Sequence, residues 1–504
     1  MNAARVPFVA ALVALAVHLA GNPHYGFFRD ELYFIICGFH PAWGYVDQPP
    51  VTPLLAAGSQ LFGHSLFLLR AVPAIFAAAG AYVTCKIVLE LGGDAFAEVV
   101  ATLAYLFCNV LLAFGMKVGP DMVGLWLWPL AALFVLRIAK GGDPRLWLAA
   151  GAAIGFSLES KYSVIFFTVA LIAGIALTPQ RRMLFSRWCL AGAALAVVIA
   201  LPNFIWQAVH GYPMFELLRN AQTMGKNVVV SPGVYLFQQL LLTNLFLSPV
   251  WIVGLIRLFR DGSARFLAWT YAILILLMIV AHGKHYYPGD VYPIVIAAGG
   301  VAIERWTQNV RLVRVALVPV MIVAGLFFLP FSLPVLGETQ MVDYQQWVGN
   351  VLHISRSTMA TEHGQTAQLP TDWADMHGWP ELVATIAGIY NALPPDHRRQ
   401  AAIVASNYGE AAAVDFFGSA YGLPPAVSGH NNYWLWGTHG YTGNVIIDVH
   451  GDCGARDHLF ASSRRAAVFD APWVISYEHD VPIMVCNGIK IPLATLWPKL
   501  RKYI

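Results

Sequence analysis

"VPFVAALVALAVHLAGNPHYGFFRDELYF", residues 6–34, carries no Asp, Glu, Lys or Arg between Val6 and Phe28. Then Arg29, Asp30 and Glu31 arrive together between aromatic residues. The apolar part reads as a helix spanning positions 6–20 and entering a membrane. No small-residue cleavage site follows it, so it is expected to stay as an anchor and not to be removed as a leader. Two adjacent carboxylates and an arginine at the water–lipid boundary need a reason.

Moving outward, the 504-residue chain is 58% hydrophobic and 12% charged, about half the charge of an ordinary soluble domain. Apolar runs predict spans near 6–20, 66–90, 97–115, 121–138, 146–158, 162–178, 188–206, 232–257, 266–282, 287–303 and 315–333. The last 170 residues are different, with 15 of the 28 acidic and 10 of the 31 basic residues. The expected fold class is a polytopic α-helical membrane protein of about eleven transmembrane helices, residues 1–335, with a C-terminal extracytoplasmic α/β domain, residues 336–504. With the N-terminus inside, the inward loops hold 14 basic residues. The outward loops hold six, namely Arg29, Lys117, Lys161, Arg219, Lys226 and Lys284. This bias sets the orientation and puts the C-terminal domain outside the cytoplasmic membrane. It also explains most of the basic residues, so the net charge of +3 implies no nucleic-acid partner.

Polar chemistry gathers on the outward side. The first outward loop, residues 21–65, is aromatic and too poor in flexible polar residues for a linker. Its first half reads as an amphipathic helix lying on the bilayer. "DQPPVTP" forces an extended turn, and a second short helix follows. Carboxylates in the first turn of a helix beginning near Asp30 are favoured by the macrodipole, so a capping role competes with a chemical one for Asp30.

The motifs "RDELYF", "GYVDQPPVTPLLA", "LLRAVPAIFAA", "ESKYSVIFF" and "GKHYYPGDVYPIVIAAGG", in that order over residues 1–335, resemble the protein-mannosyltransferase-like family 39 of the GT-C glycosyltransferases, to which the lipid A aminoarabinose transferase is related. The resemblance implies an enzyme of the bacterial inner membrane. It would take a sugar from a polyprenyl-phosphate donor and pass it to a lipid, glycan or protein acceptor on the outer face. In the family pattern the first acid of the loop motif, here Asp30, is the favoured base, and Asp121 in "KVGPDM" matches a second acidic position.

The chemistry suits the residues on its own terms. An acceptor hydroxyl must lose a proton, which a carboxylate within hydrogen-bond reach can take. A departing phosphate needs cations. Asp30 or Glu31 supplies the first; adjacent side chains on a helix diverge by about 100°, so only one can face a given atom. Arg70, Lys161, Lys284 and His285 are candidates for the donor phosphate. Asp121 and Lys117 either orient the acceptor or the loop, or pair with each other at four-residue spacing. Tyr286 and Tyr287 fit an aromatic belt as well as donor contact, and Trp434 in "SGHNNYWLWG" suits sugar stacking. No HExxH or paired-cysteine spacing marks a metal, and the outward histidines and acids leave a divalent cation open. Cys453 and Cys486 share the external domain, where a disulfide is permitted. The competing class is a transporter or flippase of a lipid-linked sugar, which predicts charges at span midplanes and two similar halves; neither is seen here.

Overall fold

The computed structural model describes residues 5–22, 24–224, 229–353, 368–451, 453 and 457–504. Lys226, one of the outward basic residues counted above, lies outside them. The membrane half is built from α1 (Val6–Gly21), α2 (Arg29–Phe39), α3 (Val51–Ser59), α4 (Leu66–Glu90), α5 (Ala95–Leu106), α6 (Asn109–Met116), α7 (Gly124–Ala139) and α8 (Leu146–Leu158). It continues through α9 (Val164–Ala176), α10 (Arg187–Val209), α11 (Pro213–Thr223), α12 (Pro232–Leu242), α13 (Ser248–Arg260), α14 (Arg265–Val280), α15 (Tyr292–Thr307) and α16 (Arg311–Phe328).

Every apolar run is helical, but not every run is one long helix. Three stretches are long and apolar enough to cross a membrane alone: Leu66–Glu90, Arg187–Val209 and Arg311–Phe331. Two bent pairs raise the number to five, and four shorter apolar helices accompany them. Length therefore supports three to five spans where the apolar runs led to eleven. The breaks have local causes. The run near 97–115 bends by 66° between α5 and α6. That near 232–257 divides into α12 and α13 at Asn244, which takes a left-handed backbone (φ 68°). Its side-chain amide donates to the Ala324 carbonyl at 3.2 Å, an energetic tie for a backbone conformation that Asn tolerates best after Gly. Where α8 crosses α10 the backbones touch: a Cβ added at Gly151 would lie 2.0 Å from the Gly192 carbonyl oxygen. Small residues allow this approach in a membrane, where dispersion replaces the hydrophobic drive.

The C-terminal part, the external domain of the topology expected from the sequence, contains α17 (Glu338–Leu352), α18 (Thr371–Ala374), α19 (Trp379–Ala392), α20 (Pro395–Gln400), α21 (Tyr408–Phe417), α22 (Asn432–Trp436) and α23 (Leu493–Leu496). Its strands are β1 (Ala401–Val404), β2 (Ala426–Val427), β3 (Val445–Val449), β4 (Phe460–Phe469) and β5 (Val481–Ile489), in sheet order β2-β1-β3-β5-β4. β1 is parallel to both β2 and β3, with Ile403 opposite Ile447. β5 and β4 extend the sheet antiparallel. The expected α/β layering is present. The ladder of β4 ends at Phe469, ahead of Pro472. Cys453 and Cys486 are joined as a disulfide.

The first outward loop departs from expectation in one respect. α2 was expected to rest one face on the bilayer, yet Arg29 and Glu31 through Gly38 are all buried. The reason is the external domain, because α2 packs on α3 and on α21 together. His64 stacks on Phe416 at 4.0 Å and His40 on Trp436 at 4.4 Å. Loop and domain form one body.

Candidate active site

The three consecutive charges at the start of α2 point in three directions, as the rotation of a helix requires. Arg29 turns to the external domain. Its Nε donates to Asp375 Oδ1 at 3.1 Å and its Nη2 to Glu478 Oε1 at 2.9 Å. The guanidinium is flanked by Trp379 at 5.2 Å and Tyr477 at 4.6 Å. Burial pushes Asp375 up to about 7 despite the opposing pull of Arg29.

Glu31 turns into the membrane half and is fully buried. It accepts from Arg70 Nε at 3.3 Å and Arg70 Nη2 at 3.1 Å, and from the backbone N–H groups of Phe28 at 3.0 Å and Val118 at 3.1 Å. Arg70, equally buried, also donates to the carbonyls of Asn22, His24 and Gly26. The pair ties α4 to the loop. Arg70 was a candidate for the donor phosphate, but every direction its fork can take is occupied by protein acceptors, which is the arrangement a buried guanidinium needs. Glu31, the second candidate base, is likewise committed.

Asp30 remains. It is half-buried, and its Oδ1 accepts from the Tyr408 hydroxyl at 2.8 Å. Tyr408 opens α21 and lies against Tyr33, ring centres 4.6 Å apart. Tyr33 in turn donates to Asp47 Oδ1 at 3.1 Å, and Asn431 donates to Asp47 Oδ2 at 3.3 Å. The external domain thus closes one side of the acidic group.

The turn of residues 117–123, between α6 and α7, connects Asp30's neighbourhood to the cationic one. Val118 reaches Glu31 as described. Asp121 pairs with Lys161, whose ammonium also lies over the rings of Tyr287 at 4.6 Å and Tyr286 at 5.4 Å. Lys117 does not pair with Asp121. It pairs with Asp372 and covers the Phe28 ring at 3.9 Å. The four-residue rule fails because Gly119 and Pro120 hold these residues in a turn and not in a helix. Lys284 lies 6.0 Å from the Tyr286 ring centre. The carbonyl of His285 accepts from Gln239 Nε2 at 3.0 Å, and burial together with Lys284 lowers its imidazole. Lys161, Lys284, His285, Tyr286, Tyr287 and Asp121 are therefore brought together. Trp434 is not among them: its indole donates to the Trp497 carbonyl at 3.0 Å, with Arg501 over its face at 5.2 Å.

Two residues of this region were missed in the sequence reading. Asp290 is buried beside Asp121 and Lys161, with no partner for Oδ1 among the described residues. Its carboxylate presses on Gly124, where a Cβ would fall 2.0 Å from Oδ2. Gln48 in the "DQPP" turn is buried with neither amide atom partnered among the described residues. The signal available for Asp290 was its place in the "GKHYYPGD" motif; Gln48 carried none beyond its prolines.

Residues 47–206 match the family model described as dolichyl-phosphate-mannose-protein mannosyltransferase. The match includes Arg70, Lys117, Asp121 and Lys161, and stops short of Asp30, Glu31 and residues 284–290 at its two ends. No curated protein matches the chain. Among solved structures, the chain is similar to ArnT from Cupriavidus metallidurans in the apo state, with TM-score 0.61 and 15% identity over 95% of this chain and 97% of that one. The same protein bound to undecaprenyl phosphate gives TM-score 0.60 and 15% identity, covering 96% and 98%. Sequence segment and fold agree with the resemblance to GT-C glycosyltransferases read from the motifs.

Proposed function

We propose that this protein is a GT-C glycosyltransferase of the bacterial cytoplasmic membrane that uses a polyprenyl-phosphate-linked sugar donor, with Asp30 as the general base. One observation carries the reading. Of three neighbouring charges, Arg29 and Glu31 are consumed by buried ion pairs, while Asp30 stays half-exposed with a tyrosine hydroxyl on one oxygen. A carboxylate so placed keeps an oxygen for an incoming hydroxyl. The undecaprenyl phosphate held by the ArnT of like fold and the description of the matching family support the donor class.

The step is an inverting displacement. The acceptor oxygen attacks the anomeric carbon, the bond from that carbon to the phosphate oxygen breaks, and the lipid phosphate leaves with the electron pair. The acceptor proton passes to Asp30. Lys161, Lys284 and His285 oppose the charge that the phosphate regains, in surroundings where charge-assisted hydrogen bonds are strong. Asp121 holds Lys161 in place, with Asp290 buried beside the pair. The acceptor is a hydroxyl of a lipid, glycan or protein at the outer surface.

The test is transfer by purified protein in liposomes, from a radiolabelled polyprenyl-phosphate sugar to an added envelope extract. Labelled product from wild type, and a fall of about 10²–10⁴-fold in Asp30→Asn at normal folded yield, is the expected result for a lost base. Substrate crossing the bilayer without a new glycosidic bond would establish the transporter class instead. More than about a tenth of wild-type turnover in Asp30→Asn removes Asp30 from the chemistry.

A further inference from the structure

The external domain holds a second group of ionisable side chains that the transfer step does not use. The chain leaves β1 toward β2 and returns to lay β3 on the other side of β1. Sheets with parallel strands collect ligands at the carboxyl ends of two strands where the order reverses in this way. Glu410 stands in the first turn of α21, which follows β1, and His450 directly follows β3. Glu478, in the helical turn Ser476–Glu478 ahead of β5, completes a trio with one donor atom each, all within 4.8 Å of one another.

Each member is oriented by its own partners. Glu410 is fully buried and accepts from the Ser406 N–H at 2.8 Å, the Ser406 hydroxyl at 3.2 Å and the Asn407 amide at 2.8 Å. The Nε2 of His450 lies 3.0 Å from the Tyr477 carbonyl, which can only accept, so that nitrogen carries hydrogen. Nδ1 then faces Glu410 Oε1 at 2.5 Å. Two acceptors do not sit that close without something positive between them, either a proton or a metal ion. Glu478 offers an independent sign. Its Oε1 takes the Arg29 hydrogen bond, while Oε2 is buried with no partner among the described residues. Charge points the same way. Two buried carboxylates, Asp375 and Glu478, share the one guanidinium of Arg29, and a third, Glu410, pairs with no charged group but His450 among the described residues. With all three carboxylates ionised, a proton on His450 leaves one negative charge in excess, and a divalent ion beside a neutral imidazole removes it.

We propose that Glu410, His450 and Glu478 bind a first-row divalent metal ion of the zinc or manganese kind, linked through Arg29 to the first turn of α2. One imidazole with two carboxylates is a ligand set such ions accept. The carbonyl on the far nitrogen of the imidazole is the usual support for a ligating histidine. With metal–ligand distances of about 2.0–2.2 Å, the Nδ1 and Oε1 atoms part by roughly 0.5–1 Å and the proton between them leaves. The site uses none of the residues assigned to the transfer step, and it holds whatever the chain transfers.

Full-length protein in detergent, stripped with a chelator and dialysed, is titrated with Co²⁺ and then Zn²⁺. Wild type is expected to take up one equivalent of Co²⁺ with the visible absorption of a low-coordinate site, and to lose that absorption on zinc addition. Glu478→Gln keeps the side chain's size and removes one anionic ligand. Its cobalt affinity should fall at least about tenfold, the lower end for disturbing even a supporting group of a metal site. His450→Ala should abolish the absorption and serves where Glu478→Gln elutes unfolded. No stoichiometric cobalt uptake by wild type overturns the proposal, as does unchanged affinity in either variant eluting as a single folded species.

Discussion

Replacing Arg70 by Met separates the structural carboxylate of the opening motif from the chemical one. Arg70 and Glu31 are both without exposed surface, so the substitution leaves a carboxylate in a dry interior with only the Phe28 and Val118 N–H groups to hold it. Breaking a buried pair in this way costs about 3–5 kcal/mol. Three backbone carbonyls, of Asn22, His24 and Gly26, lose their donors at the same time. Adding Glu31→Gln to Arg70→Met removes the stranded charge while keeping an acceptor for the backbone. The double variant should therefore recover part of the loss, with a coupling energy of about 0.5–3 kcal/mol, the range for residues in direct contact. Apparent melting temperature in detergent, followed by tryptophan fluorescence for the wild type, both single variants and the double, reads the cycle. Below its melting temperature Glu31→Gln should keep turnover within several-fold of wild type. Strictly additive losses would refute the pair, and a turnover loss in Glu31→Gln as deep as in Asp30→Asn would refute the division of labour.

Lys284→Ala should lower kcat/KM for the lipid-phosphate donor by roughly 10- to 150-fold, from about 1.5–3 kcal/mol for a hydrogen bond to a charged group, with acceptor KM unchanged. Equal effects on both substrates would make it a simple anchor. Asp415 on α21 accepts from the Ala426 N–H and the Tyr433 hydroxyl, yet burial raises it from 3.8 to about 6. The folded state thus binds the extra proton between those values, so stability falls as pH rises through that window, by at most roughly 3 kcal/mol. The melting temperature of Asp415→Asn relative to that of wild type, measured from pH 4 to 7, should rise with pH; a constant difference would sink the assignment. A membrane-impermeant maleimide should label Ala420→Cys in intact cells and Asp143→Cys only after permeabilisation. The reverse pattern would invert the whole topology.

Much of the architecture could be read from period and composition. The β-branched runs at 401–404, 445–449 and 481–489 are strands, and the apolar runs are helices, since both depend on neighbours close in sequence. Breaks such as Asn244 could not be read, because the side chain that stabilises the left-handed turn finds its acceptor 80 residues away. The site divides along the same line. Asp30 and the cationic cluster announced themselves by charge at predicted span ends. The fate of Arg70 depended on carbonyls some 45 residues earlier, and that of Arg29 on acids 346 and 449 residues later. Lys117 and Asp121 misled because spacing was read as helix across a Gly-Pro turn. Nothing local marked Glu410, His450 and Glu478 as neighbours, for the sheet alone brings them together.

The span between Arg29 and Glu478 also sets a timetable. At about 5–20 residues per second of synthesis, a ribosome needs roughly 20–90 s to travel the 449 residues separating them. During that interval the membrane helices can already be threaded into the bilayer while the helix turn bearing Asp30 lacks the arginine's two anchors and the tyrosine that caps it. A chain interrupted before Glu478 would leave Arg29 without its second anchor. Arg29 in the first turn of α2, made among the earliest residues, is thus tied down by side chains made near the end.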